Sequence, residues 1–280
     1  MAKWRISAMV RSLWSAATGM NAQQANVDTI ANNLANVNST GYKTEVAEFK
    51  SLLYQNLQTK TTTANGENKP VSAQVGLGVR NSTITSIFKQ GNLLESASSS
   101  AFAVVGDGFF SVRGEDGQTY YTRNGNFVWS KDNNMITLTT TDGLPVLDSN
   151  GNRVSFSGEY LASNITISGD GEICYPDGKN NAVSLGIRIG LHQFQNPSGL
   201  EKTGGSLFSA TAASGAAINE NNLPAGVKRS DIRQGYLEGS NVQVADEMVN
   251  MIVAQRAYEM NSKIIQTTDD MMSQANNLRR

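Results

Sequence analysis

The sequence predicts an α+β fold. Discontinuous N- and C-terminal helices form one coiled-coil-like domain, and a mainly antiparallel β domain lies between them. Three observations carry this. Between Arg11 and Lys43 the only charged residue is Asp28, yet small and apolar residues recur there at helical spacing. The segment from Val244 to Met272 repeats the same rhythm. The region between them switches to a period of two and is punctuated by Asx-Gly pairs.

Taken in order, residues 1–8 (MAKWRISA) carry Lys3 and Arg5, and no apolar run follows. They predict a disordered extension rather than a cleaved secretory signal. Met9 opens the segment MVRSLW. A first helix is expected over 12–36, roughly 37 Å long at the usual rise. Leu13, Ala17, Met20, Gln24, Val27, Ala31 and Leu34 alternate spacings of four and three, as a coiled-coil seam does. A solvated helix carries Lys and Glu on its outer face. Here that face is Asn, Gln, Ala, Ser and Thr, so the helix expects protein on nearly every side. Asn32, Asn33 and Asn36 are expected to hydrogen-bond across subunits. Asn38-Ser39-Thr40-Gly41 ends the helix, with Gly41 suited to a left-handed cap.

Residues 43–78 read as a connecting segment. Phe49, Leu52, Leu53 and Leu57 suggest one short element, and 59–73 (TKTTTANGENKPVSA) reads as a long flexible loop. Loop contacts to neighbours are expected at Tyr54, Gln55, Asn65 and Lys69. The β domain is placed at 79–240, with strands at 79–88, 101–105, 109–112, 119–122, 127–129, 135–139, 165–167, 173–175 and 187–194. The pairs at 107–108, 116–117, 124–125, 142–143, 150–151, 170–171 and 177–178 are Asx-Gly, which supplies the positive φ of tight hairpins. Residues 204–227 read as loop. Asn241 is a candidate N-cap for a final helix running to 277, and 9–42 plus 241–280 form the helical domain. The seam there is Val244, Met248, Met251, Gln255, Tyr258, Ser262, Ile265, Asp269 and Met272. Several seam positions are small or polar, and such residues contribute little on burial. The isolated helix pair is therefore expected to be marginal and to be completed by neighbouring subunits.

Composition narrows the function. Charged residues are 17%, against about 25% in an average domain, and the deficit sits mostly in the first helix. Net charge is −1 and the pI about 5.9, which argues against nucleic acid or an anionic membrane as partner. No apolar run approaches the ~20 residues of a membrane span, so no membrane insertion is expected. One cysteine, Cys174, and one histidine, His192, exclude sites needing two of either. Both read as structural strand residues. The Asp-Gly turns lack the Asp-x-Asp-x-Asp-Gly spacing of a calcium loop. Gly76-Leu77-Gly78 has no helix after it and reads as a turn. No catalytic residue, metal or cofactor is expected, and the chain is not expected to be an enzyme.

Ala31-Asn32-Asn33-Leu34-Ala35-Asn36 followed by Gly41-Tyr42-Lys43 resembles the N-terminal signature of bacterial flagellar rod and hook proteins. Glu238-Gly239-Ser240-Asn241-Val242, Met248-Val249 and Gln255-Arg256-Ala257-Tyr258-Glu259-Met260-Asn261 resemble the other end of that family. Gly106-Asp107-Gly108-Phe109-Phe110 and Thr122-Arg123-Asn124-Gly125-Asn126-Phe127 are similar to its β-domain motifs. MVRSLW and the length of 54–73 are most similar to the distal-rod branch. The segment Ser98–Val105 departs, since the family more often has a Leu-Asp-containing strand there. The resemblance implies a homo-oligomer in a helical rod, with the terminal helices innermost and the β domain outward, that passes torque from motor to hook. It implies as partners proximal rod subunits, the hook protein, ring (bushing) proteins where present, and the flagellar export apparatus. It places the chain in the basal body, in a rod spanning the periplasm, reached without a cleaved signal. Proximal rod and hook subunits remain alternatives within the family. A secreted carbohydrate-active enzyme would need paired carboxylates on a cleft, whereas the acidic residues here mostly occupy turns. An adhesin reading leaves the helical ends unexplained.

Overall fold

A computed structural model describes residues 2–58, 73–132, 134–158, 160–176, 182–224 and 226–277. The chain divides into two compact units. The first comprises residues 1–34, 45–85 and 244–280, and the second 35–44 and 86–243. The architecture is α+β: two long helices at the ends and an antiparallel β region between them. The expected boundaries shift, because the strands at 45–51, 54–58, 73–76 and 79–86 belong with the helices, while 35–44 belongs with the β unit.

In the first unit, helix α1 spans Ala2–Ala35 and helix α2 spans Val244–Asn277. Helix α1 thus starts ten residues before the position read from the sequence, and the backbone from Ala2 is helical where an extension without structure was expected. Nothing in the first ten residues breaks a helix: there is neither Pro nor Gly. Gly41 takes φ +71°, the left-handed turn expected of it. Helix α2 starts at Val244 with Asp246 and Glu247 in its first turn, where negative charge complements the helix dipole. Tyr54–Gln58 pairs antiparallel with Ala73–Gly76. Residues 59–72, nearly all of the loop expected over 59–73, lie outside the described residues. Asn65 and Lys69 lie outside the described residues.

The second unit is built around a six-stranded sheet in the order Glu201–Gly204, Leu207–Ser209, Thr119–Thr122, Phe109–Arg113, Leu191–Gln193, Ile218–Asn219. Its pairings are antiparallel. Two three-stranded sheets and two ribbons surround it, joined by single bridges such as Val112 to Val146 and Asp148 to Ile189. Alternation along Phe109–Arg113 explains why both Phe109 and Phe110 are buried. Phe110 and Val112 enter the larger core with Phe102, Phe127, Leu138 and Ile173, while Phe109 enters a second core with Tyr121, Phe194 and Phe208. Both faces of the central sheet are thus covered.

The Asx-Gly pairs divide into two kinds. Gly117, Gly143, Gly151 and Gly171 have positive φ and sit in turns as expected. Gly108 and Gly125 do not. A Cβ on Gly125 would lie 1.6 Å from the Phe102 carbonyl oxygen, so that glycine answers a close backbone approach. Gly178 lies outside the described residues. The strand expected over 187–194 is two strands, Ala182–Arg188 and Leu191–Gln193, separated at Gly190. The region 204–227 is less irregular than expected, holding strands Leu207–Ser209 and Ile218–Asn219.

Candidate assembly interface and a buried ion cluster

The helices present two kinds of face. Among the residues of α1 whose side chains are described, those buried are Ala16, Ala22, Thr29, Ile30 and Asn33. The seam read from the sequence is rotated from this. Ala17, Gln24 and Ala31 are exposed in the chain, and Leu13, Met20, Val27 and Leu34 are half-buried. The reason is compositional: α1 carries small residues on every side, so periodicity alone does not single out the face its own chain covers. Close approach and hydrogen bonding select it instead. A Cβ on Gly19 would meet Asn261 Nδ2 of α2 at 3.0 Å. Thr18 Oγ1 lies 3.4 Å from the Val79 amide, from which it accepts.

Asn33 overturns part of the expected interface. It is fully buried, and its amide is engaged within the chain. Nδ2 donates to the Glu45 carbonyl at 2.8 Å, and Oδ1 accepts from the Glu45 amide at 2.8 Å. Asn33 therefore pairs with the first residue of Glu45–Ser51 as a neighbouring strand would. Asn36 is half-buried and accepts from Ser39 Oγ at 3.1 Å, closing the turn after the helix. Asn32 is exposed.

On α2 the covered stripe is Glu247, Met251, Ala254, Asn261, Ile265, Thr268 and Met272, buried or half-buried at heptad spacing. It shares Met251, Ile265 and Met272 with the expected seam, but Met248 and Gln255 are exposed, with Met248 at 53%. Tyr258 and Val244 are also exposed. A second apolar stripe runs along another face through Val249, Val253, Met260, Ile264 and Met271, with Ile252 beside it. Val253 and Met260 are each 62% exposed. Tyr54 and Gln55 on the ribbon are exposed as well. Helix α2 thus carries a covered stripe and a second, open apolar stripe where the periodicity in the sequence suggests one. The second could have been found by testing a rotated register of the same repeat.

The second unit holds a cluster the sequence reading missed. Lys43, Arg123 and Glu238 are almost wholly buried together. Lys43 Nζ donates to Glu238 Oε1 at 2.6 Å and to the Lys89 carbonyl at 2.9 Å. Arg123 Nη1 donates to Glu238 Oε2 at 3.4 Å and Nη2 to the Gly106 carbonyl at 2.7 Å. The guanidinium also lies over the Phe109 ring, 5.0 Å from its centroid. Burial pushes the Lys43 ammonium below its ordinary pKa, and Glu238 pulls it back up. Arg123 is shifted the same way by burial, opposed by Glu238, then by Asp107 and Glu220. Removing one partner from such a cluster typically costs about 3–5 kcal/mol, because a buried charge is stranded.

Asn241 is not an N-cap. Its Oδ1 accepts from the Thr44 amide and hydroxyl, each at 2.7 Å, and its Nδ2 donates to the carbonyls of Ile87 and Lys89. It ties three segments of the β unit together. His192 lies 5.4 Å from the Tyr121 ring, and its Nδ1 is buried without a hydrogen-bond partner among the described residues. Cys174 is a free thiol on Glu172–Pro176. Among the described residues no group of three or more His, Cys, Asp or Glu could hold a metal, and no helix is long and apolar enough to cross a membrane.

Three family profiles match the chain. "Flagella basal body rod protein" matches residues 13–43, "Flagellar hook protein FlgE/F/G D1 domain" 103–175, and "Flagellar basal body rod FlgEFG protein C-terminal" 233–278. The chain is similar to the flagellar basal-body rod protein FlgG of Borreliella burgdorferi, at 44% identity over 97% of this chain and 100% of that protein. The Agrobacterium fabrum protein of the same name is 40% identical over 94% of this chain and 97% of its own length. The flagellar hook-basal body complex protein FlhP of Bacillus subtilis is 33% identical over 97% of this chain and 100% of its own. The chain belongs to the flagellar basal-body rod protein family. Each of the three matched segments contributes one member of the buried cluster: Lys43, Arg123 and Glu238.

Proposed function

We propose that the chain is a structural subunit of the bacterial flagellar distal rod, polymerising into a helical tube that passes motor torque to the hook. The observation that carries this is the open apolar stripe of α2 in a chain related to rod proteins over nearly its whole length. Val249, Val253, Met260, Ile264 and Met271 are all exposed along one face, and an aligned run of exposed large apolar side chains supports an association face there. Copies of the same chain are its occupants, with the exposed seam residues Ala17, Gln24, Ala31, Met248 and Gln255 completing the contacts. The ribbon bearing Tyr54 and Gln55 supports lateral locking between copies, and the length of 54–73 favours the distal rod over the proximal rod or hook.

Proximal rod subunits, the hook protein and ring proteins are the further partners. The subunit reaches a rod spanning the periplasm through the flagellar export apparatus. Its role is mechanical rather than catalytic. Electron microscopy of the purified full-length protein after concentration tests the reading. Straight tubes are expected, and a protein that remains monomeric at every concentration and ionic strength tried would reject self-assembly.

A further inference from the structure

The three members of the buried ion cluster are far apart in sequence, and the anion comes last. We infer that Glu238 is the closing residue of the β unit, an electrostatic gate that holds the unit open until its C-terminal segment is present. Lys43 and Arg123 occur early and midway, and the fold puts both where water cannot reach them. The two cations share one carboxylate, and Glu238 is the strongest of the charges favouring the buried guanidinium, ahead of Asp107 and Glu220. A buried charge without its partner costs far more than an exposed one, so the unit closes unfavourably before residue 238 arrives.

Glu238 also gathers the backbone. Its Oε1 accepts from the Gly91 amide at 3.0 Å, its carbonyl accepts from the Gly41 amide at 2.8 Å, and its strand Tyr236–Glu238 pairs with Leu93–Glu95. The remaining strands of the unit all precede it, ending with Asp231–Gln234. A chain that emerges from its N-terminus thus carries every other strand of the unit before it carries the counter-ion. On the proposed reading of an exported subunit, such a gate delays closure of a domain that must travel unfolded. The inference itself needs only N-to-C emergence, so it stands or falls separately from that reading.

Ribosome-arrested chains that expose residues up to 234 or up to 243 test it, with protease cleavage within residues 86–230 as the readout. The longer wild-type chain is expected to be cleaved about a hundredfold more slowly than the shorter one. A shorter chain carrying Lys43→Met and Arg123→Met is expected to gain about tenfold protection over wild type at that length, because no cation awaits a partner. Equal protection of the two wild-type lengths would overturn the gate. So would absence of any gain in the neutralised chain, since strand arrival rather than charge would then close the unit. In the released full-length protein, Glu238→Gln keeps the shape and is expected to open the same region to cleavage. Adding Lys43→Met should restore part of the protection. Additive damage from those two substitutions would contradict the account.

Discussion

The two units bury their side chains differently. The β unit encloses fifteen buried residues in one core, among them Phe102, Phe110, Phe127 and Leu138, and its buried charges find partners inside it. The helical unit buries chiefly small or polar groups: Ala16, Ala22, Thr29, Asn33, Ala254 and Thr268, with Ile30 the main large aliphatic residue. Its bulky apolar side chains are otherwise half-buried, as Leu13, Met20, Val27, Leu34, Met251 and Ile265 are, or exposed, with Leu53 82% exposed and the second α2 stripe open along the helix. Burial of a large aliphatic side chain contributes about 1.5–3 kcal/mol, and of alanine much less. The β unit thus encloses most of its large apolar side chains, while the helical unit leaves an apolar stripe open along α2.

The sharpest way to break this comparison is to damage the β unit. Gly125→Ala places a Cβ against the Phe102 carbonyl, and both sides of the clash are backbone. We expect a loss of about 3 kcal/mol or more, at the upper end of overpacking effects, read as a lowered urea midpoint of the β unit. A midpoint within error of wild type would show that the backbone gives way cheaply there.

Asn33→Asp tests the helical unit. Aspartate cannot donate, so the Glu45 carbonyl loses its 2.8 Å partner and faces a carboxylate. Loss of one such half-buried hydrogen bond costs about 0.5–1.5 kcal/mol. Faster hydrogen exchange at the Glu45 amide and the last turn of α1 is expected, with the β-unit midpoint unchanged. Unaltered exchange would mean that Asn33 does not latch Glu45.

These residues also show what the sequence made legible. The α+β class, both helices and most strands follow from period and turn chemistry, because a two-residue repeat with aromatic and β-branched side chains reports burial on one face. The family follows from the motifs at 31–43, 106–127 and 238–261. Two things did not follow. The covered face of α1 is set by one glycine and one asparagine, not by an apolar stripe. The buried cluster joins Lys43, Arg123 and Glu238 across the whole chain, and although each lies in one of those motifs, nothing in the sequence pairs them. Asn241 looked like a cap because Asn commonly caps, yet its amide bonds Thr44 and the segment 87–89 of the β unit instead.

A smaller effect concerns pH. Burial lowers the pKa of His192 below its ordinary value, so the folded β unit favours the neutral ring. The unfolded chain then binds a proton more readily, with a pKa near 6.5. Stability from this residue is fully present above about pH 6.5 and is lost as pH falls from there toward the folded value. Urea midpoints at pH 7.5 and 5.5 should therefore differ, and His192→Gln should reduce the difference. A difference of the same size in the variant would assign it to other groups.

On the proposed function, the open stripe of α2 serves assembly and not the stability of the single chain. Val253→Lys tests it most directly, because Val253 is 62% exposed and lies in the middle of that stripe. An exposed substitution should change monomer stability by no more than about 0.5 kcal/mol. Sedimentation of wild type and variant across a concentration series is the measurement. Wild type is expected to form large assemblies while Val253→Lys stays monomeric with an unchanged unfolding midpoint. Assembly of Val253→Lys at the wild-type concentration would contradict it.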